Sequence, residues 1–302
     1  MSVLSTLIAK TLPFIPKSLV GYFARPYIAG ETLDDGIRVV KDLNAKGIMA
    51  TMDVLGESVN TREESLDMRA KAEEVLHAIA RHTLDSNLSI KPTQLGLAID
   101  EAFCEDNIRH LVRIAQGYGN FVRIDMEDHP WTDATLRMYR TLRAEFPGHV
   151  GVVVQAYMRR CMDDVNTLMA EGPTNVRLCK GIYIEPVAIA FRDREEVRAN
   201  YRALNERLLG NDAYVGIATH DDPLLEHGIE LVKRLGLPRE KYEFQMLLGV
   251  RPQRRDAIVA QGHRMRVYVP FGDQWYPYST RRLKENPHMA LHIIKAILGF
   301  GK

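Results

Sequence analysis

From residue 32 onward the chain alternates between two periodicities, and it does so eight times. Short apolar runs fall at 47–56, 88–91, 121–127, 150–156, 175–181, 213–220, 242–249 and 265–269, each with the length and content of a buried strand. Segments with helical spacing lie at 31–46, 58–83, 104–117, 132–145, 159–171, 192–209, 223–235 and 253–261. In the first of them Leu33, Ile37, Val40 and Leu43 share one face. Eight buried strands joined by helices are the count that closes a parallel (β/α)8 barrel. An open doubly wound sheet is the alternative. Its dinucleotide fingerprint is missing, because Gly117-Tyr-Gly119 precedes a strand and no third glycine comes. No fixed-period repeat or low-complexity linker divides the chain, so residues 31–302 read as one barrel domain and residues 1–30 as a helical extension.

Composition narrows the partners. Forty basic against thirty-nine acidic residues leave a formal charge of +1, which is no footprint for nucleic acid. Cys104, Cys161 and Cys179 form neither a CxxC nor a disulfide framework, which fits a reducing cytoplasm. No apolar run approaches the ~18 residues needed to span a bilayer. The segment from Met1 to Tyr27 is apolar with scattered Lys and Arg and no acid. Lys10, Pro13, Pro16 and Lys17 break it too often for a secretory signal. It reads as an amphipathic piece that packs on the body, on another subunit of a homo-oligomer, or peripherally on the inner face of the cell membrane, with packing on protein the commoner case.

In a barrel, chemistry gathers where strands end. Here each strand ends in something polar: Asp53, Lys91, Asp125 with Glu127, Gln155, Arg177 with Lys180, Thr219 with His220, Gln245, and Tyr268. Singly, each has an ordinary structural explanation: an ion pair for Lys91 and Asp125, a satisfied core imidazole for His220. Together they are costly to bury unless paired or used. There is no HExxH or Cys/His cluster, hence no metal is expected, and neither GxSxG nor a P-loop is present. After the last strand Pro270 and Gly272 break the chain, Asp273 is placed to cap a helix, and Asn286-Pro287 ends it. On that helix Tyr278, Arg281, Arg282 and Glu285 fall at i, i+3, i+4 and i+7, one face. That face is either a solvated stripe of ion pairs or a two-arginine clamp, steered by Glu285, for a carboxylate or phosphate.

Seven stretches, in order, carry a resemblance: Ser89-Ile-Lys-Pro92, Arg123-Ile-Asp-Met-Glu127, Val154-Gln-Ala-Tyr157, Arg177-Leu-Cys-Lys-Gly181, Ala218-Thr-His220, Phe244-Gln-Met-Leu247, and Tyr268 with Arg281-Arg282-Leu-Lys-Glu285-Asn286. They resemble the proline dehydrogenase family over about residues 32–286. The resemblance implies an FAD-dependent, single-function enzyme that oxidises L-proline to 1-pyrroline-5-carboxylate by hydride transfer from C5 to the flavin N5 and passes electrons to a quinone. It implies that Arg281 and Arg282 clamp the substrate carboxylate, with Glu285 steering them. Lys91 would lie beside the substrate, paired with Asp125, and Tyr268, Tyr278 and Leu247 would wall the ring. Arg177 would sit at the reactive edge of the flavin, so that Lys91, Asp125 and Arg177 are the catalytic set. Met126, Gln155, Arg177, Lys180, Gly181, Ile182, Thr219 and His220 would hold the cofactor, with Tyr183 at the rim. Two rivals stand beside this reading: a flavin-free barrel in which Lys91 forms a Schiff base, and a membrane-associated scaffold with no chemistry.

Overall fold

The computed structural model describes residues 20–21, 25–56 and 59–285, the last five as backbone only. Eight parallel strands, β1 (Met49–Val54), β2 (Ser86–Ile90), β3 (Val122–Ile124), β4 (Val150–Gln155), β5 (Asn175–Cys179), β6 (Tyr214–Ala218), β7 (Tyr242–Leu247) and β8 (Met265–Phe271), close in sequence order into a barrel. Helix α1 (Leu33–Asn44) precedes the barrel. Helices α2 (Arg62–Arg81), α3 (Glu101–Gly117), α4 (Thr132–Glu145), α5 (Cys161–Ala170), α6 (Arg194–Leu209), α7 (Asp222–Arg234) and α8 (Pro252–Ala260) follow the first seven strands, and α9 (Trp275–Glu285) follows the eighth. The barrel expected from the alternation is the fold observed.

Local chemistry sets the helix starts. Thr32 with Asp35, and Thr61 with Glu64, form capping boxes at α1 and α2. Asp100 accepts from Phe103 N at 3.0 Å at the head of α3, and Asp193 accepts from Glu195 N at 2.9 Å at the head of α6. Ile37, Val40 and Leu43 of α1 are buried against the barrel, and Leu33 is half-buried. Several boundaries differ from the sequence reading. The segment 121–127 keeps only Val122–Ile124 in the ladder, because Glu127 turns away to accept from Thr93 N at 2.8 Å and Thr93 Oγ1 at 2.6 Å. Strand β2 starts earlier than expected, at Ser86, since Ser86 and Asn87 are polar yet buried inside the barrel. Strand β8 does not break at Pro270: Pro270 pairs opposite Asp53 and its carbonyl accepts from Ala29 N at 2.9 Å. Helix α9 opens at Trp275, two residues beyond the expected Asp273 cap.

Two glycines make room for polar side chains to cross the barrel interior. Arg123 on β3 lies opposite Gly151 on β4, where an added Cβ would come within 2.8 Å of the Arg123 Cζ. Over that gap its guanidinium reaches β5, donating to Asn175 O at 3.0 Å and to Asn175 Oδ1. Gly216 on β6 plays the same part for Gln245, whose Cδ lies 2.9 Å from where a Cβ would sit. Of the expected N-terminal extension, Val20 is fully buried and Gly21 packs against the Trp275 indole. The rest of the membrane-contact expectation falls on residues 1–19 and 22–24, outside the described residues. No helix among the described residues is long and apolar enough to cross a membrane.

Candidate active site

A cavity of about 670 Å³ opens at the C-terminal ends of the strands. At one end stands a charged cluster contributed by five strand ends. Lys91 Nζ lies 2.8 Å from Asp53 Oδ1, 3.2 Å from the Tyr268 hydroxyl and 3.5 Å from Asp125 Oδ2. Asp125 Oδ1 accepts from Ser89 Oγ at 2.7 Å and from an Arg177 Nη at 2.6 Å, and its Oδ2 accepts from Tyr268 at 3.0 Å. Arg177 Nε donates to Gln245 Oε1 at 2.7 Å, and its Cζ lies 5.2 Å from the Tyr268 ring centroid. The nearer partner of Lys91 is therefore Asp53. Asp125 belongs chiefly to Arg177.

The electrostatics follow from that division. Burial would lower the Lys91 ammonium, but Asp53, Tyr268 and Asp125 hold it well above its ordinary value. Burial also works against Asp125, yet Arg177 and Lys91 keep its carboxyl low. Asp53 is pushed up by burial, with Lys91 pulling the other way. A Schiff-base lysine needs a lowered pKa so that a free amine is available. Lys91 Nζ instead lies 2.8 Å from one carboxylate and 3.5 Å from a second, an arrangement that favours the ammonium and argues against the aldolase-like rival.

The remaining sequence-predicted residues fall around the same cavity. Met126 and Gln155 line it from the ends of β3 and β4, with Gln155 Nε2 donating to Glu127 O at 2.8 Å. Lys180, Gly181, Ile182 and Tyr183 line it from the loop after β5. Thr219 and His220 follow β6; the Thr219 Oγ1 accepts from Asp221 N, and His220 Nε2 accepts from Leu247 N at 3.0 Å, which puts the imidazole proton on Nδ1. Leu247, Tyr268 and Tyr278 complete the wall. Tyr278 is on α9, and the helical backbone carries positions 281, 282 and 285 along the same stripe, as the spacing requires. The side chains of Arg281, Arg282 and Glu285 lie outside the described residues.

Sequence reasoning gave no role to Asp53, though it marked the residue as a strand end. It named Lys180 but missed the other members of a second cluster. Asp221, nearly fully buried, accepts from Lys180 Nζ at 3.0 Å and from Arg198 at 3.0 and 2.6 Å, with Arg194 3.7 Å away. Burial raises its carboxyl, but Arg198 and Lys180 outweigh that and bring it to about 2. Arg194 and Arg198 are spaced i, i+4 at the head of α6, a pattern indistinguishable in sequence from an exposed charged stripe. Arg198 also pairs with Glu195 at 2.6 Å, so Lys180 and Arg194 are the two cations of this cluster that line the cavity.

A closed parallel barrel with a cation-rich, charge-paired cavity at its C-terminal mouth is the build of a barrel enzyme for a small anionic substrate. The family described as proline dehydrogenase matches residues 37–292, and the chain belongs to that family. It is 38% identical over 275 residues to proline dehydrogenase 1 of Bacillus subtilis strain 168, spanning 91% of this chain and 90% of the relative. It is 35% identical over 280 residues to the proline dehydrogenase of Deinococcus radiodurans, again over 91% of this chain and 90% of the relative. Among solved structures it is similar to proline utilization A of Bdellovibrio bacteriovorus inactivated by N-propargylglycine, with a TM-score of 0.82 and 28% identity over 88% of this chain. The chain spans 32% of that longer protein. Proline utilization A of Bradyrhizobium japonicum shares the fold, with a TM-score of 0.75 at 19% identity.

Proposed function

We propose that this chain oxidises L-proline to 1-pyrroline-5-carboxylate with FAD as its resident cofactor and a quinone as electron acceptor. The observation that carries the reading is the Asp53–Lys91–Asp125–Arg177–Tyr268 cluster at the mouth of the barrel in a member of this family. Proline must lose its ammonium proton before C5 can give up hydride. Among the described residues at this end of the cavity, two carboxylates face two cations and each carboxylate is already paired, so a bound ammonium finds no unmatched counter-ion and its proton leaves more readily. Arg281 and Arg282 would hold the substrate carboxylate, and the Tyr268, Tyr278 and Leu247 wall would orient the ring. Such positioning is worth up to ~7 kcal/mol.

The residues present fit FAD. Lys180 and Arg194, both on the cavity wall, suit a diphosphate. Gln155 lines the cavity and presents an amide oxygen to which no described residue donates. The volume is that of a site for a ligand with a fused ring system. When bound, FAD supplies the two-electron acceptor for the hydride. Lys91, Asp125 and Arg177, all lining the cavity, supply the charge environment. The test is a visible spectrum of the purified protein, repeated anaerobically with L-proline and then with a soluble quinone. A yellow protein that bleaches with L-proline but not alanine, and recovers with quinone, is the expected result. A colourless protein that stays inactive with added FAD overturns the reading.

A further inference from the structure

Arg177 is gripped at two of its three nitrogens. Asp125 Oδ1 takes one Nη at 2.6 Å and Gln245 Oε1 takes Nε at 2.7 Å, while no described residue accepts from the other Nη. The grip at Nε requires the oxygen end of the Gln245 amide, not its nitrogen, to face the guanidinium. What enforces that choice lies deeper in the barrel. Glu243, two residues earlier on β7 and fully buried, accepts from Gln245 Nε2 at 2.6 Å, Arg266 Nε at 2.7 Å and the Tyr214 hydroxyl at 2.6 Å. A carboxylate only accepts. With Arg266 and Tyr214 fixed on it, it can receive Gln245 only by the amide nitrogen, and the oxygen is turned toward Arg177.

The reach of Gln245 has its own cause. Arg177 on β5 pairs in register with Gly216 on β6, and Gly216 pairs with Glu243 on β7. A side chain at position 216 would occupy the space between the two charges. With glycine there, the Gln245 amide lies across the gap, and an added Cβ would overlap its Nε2.

We infer that Glu243, Gln245 and Gly216 form a positioning unit for Arg177: the carboxylate sets the orientation of the amide, the glycine gives it passage, and the amide fixes the rotation of the guanidinium that faces the reacting groups. Glu243 and Gly216 are positioning residues, and neither lines the cavity. The kinetic part of this inference rests on the function proposed above. The geometric part does not.

Gly216→Ala tests it without substituting Arg177 or any residue that lines the cavity, because the three atoms nearest to the added methyl belong to the flexible Gln245 side chain. In the intact protein this variant should retain the wild-type far-UV circular dichroism and lose kcat for proline on the order of tenfold, with KM changed less than about twofold, a smaller loss than the ~10²–10³ for deleting a charge-stabilising donor outright. The Arg177 Nε–Hε resonance, read with ¹⁵Nε-labelled arginine and assigned with Arg177→Lys, should move as its acceptor is displaced. Gln245→Ala should show the same two changes, and adding Gly216→Ala to it should change nothing further, since the methyl then meets no amide. Additive losses, or an Arg177 Nε resonance unmoved in both Gly216→Ala and Gln245→Ala, overturn the inference. If Gly216→Ala fails to fold, Gln245→Ala alone decides by the same resonance. A wild-type protein without proline activity refutes the proposed function, and the resonance still decides the positioning.

Discussion

Lys91 shows how far a single residue can be read before the fold is known. Its place at a strand end and its need for a counter-ion are visible in the sequence, but the nearer counter-ion is not. Asp53 is 38 positions away on β1, with no local signal linking the two, and only barrel closure brings them to 2.8 Å. Asp125, the expected partner, does pair with Lys91 at 3.5 Å but lies closer to Arg177, at 2.6 Å. The polar residues of strand interiors were harder still. Arg123, Glu243 and Arg266 sit within apolar runs, yet all three are buried and hydrogen-bonded to side chains or carbonyls from other strands. The late arginines share a helical face by spacing, which leaves open whether that face is a solvated stripe or a clamp. If the proposed function holds, Arg281→Met and Arg282→Met should each raise KM for proline at least about tenfold, the loss expected when one charge-assisted contact worth ~1.5–3 kcal/mol goes, with the proposed flavin retained. Steady-state kinetics on protein of matched flavin content check this; an unchanged KM in both variants removes the clamp.

Elements were more legible than residues because their causes are local. Thr132–Glu145 begins and ends where helical periodicity does, and α1 and α2 are announced by a threonine three residues ahead of an acid. What sequence could not give was where a strand leaves the ladder, since Asp125, Met126 and Glu127 continue an acceptable strand pattern and depart only because Thr93 offers Glu127 two donors. The capping box of α2 is a clean test of the local account. Thr61 accepts from Glu64 N at 3.2 Å while Glu64 Oε2 accepts from Thr61 N at 3.2 Å and from Asn60 N at 2.7 Å. Thr61→Ala should cost about 1 kcal/mol of stability, seen as a lower urea midpoint with an unchanged slope, and should leave kcat as it is. A stability unchanged within error would show that α2 is held by packing alone.

At the scale of the whole molecule, buried charge ties stability to acidity. Burial favours the neutral form of Glu243, but Arg266 and the bonds from Tyr214 and Gln245 outweigh it and bring the carboxyl to about 2. Asp221 reaches about 2 by the same kind of contest. Both lie below the values of about 4.3 and 3.9 for an unfolded chain. A group depressed on folding contributes stability that is complete above its unfolded pKa and disappears as pH falls toward its folded pKa. Thermal midpoints should therefore vary little on account of these two groups from pH 7 to about 5 and then fall steeply between about pH 4 and 2. Asp221→Asn should flatten part of that descent at the cost of a lower midpoint at neutral pH. A midpoint that declines evenly from pH 7 would place the sensitive groups elsewhere.

The pairing of β1 with β8 has a further consequence, for the order in which the protein is made. Contacts between these strands join residues as far apart as 217 positions, Met49 and Arg266 among them. A chain emerging from the ribosome holds β1 with one side unpaired until β8 follows, and loop closure over such a distance is slow. Until then Asp53 and Lys91 wait for Tyr268, and the exposed edges of β1 and β7 are open to pairing with other nascent chains. Synthesis that stops short of about residue 271 leaves an open, sticky sheet, so the final strand acts as the checkpoint at which fold and active site are completed together.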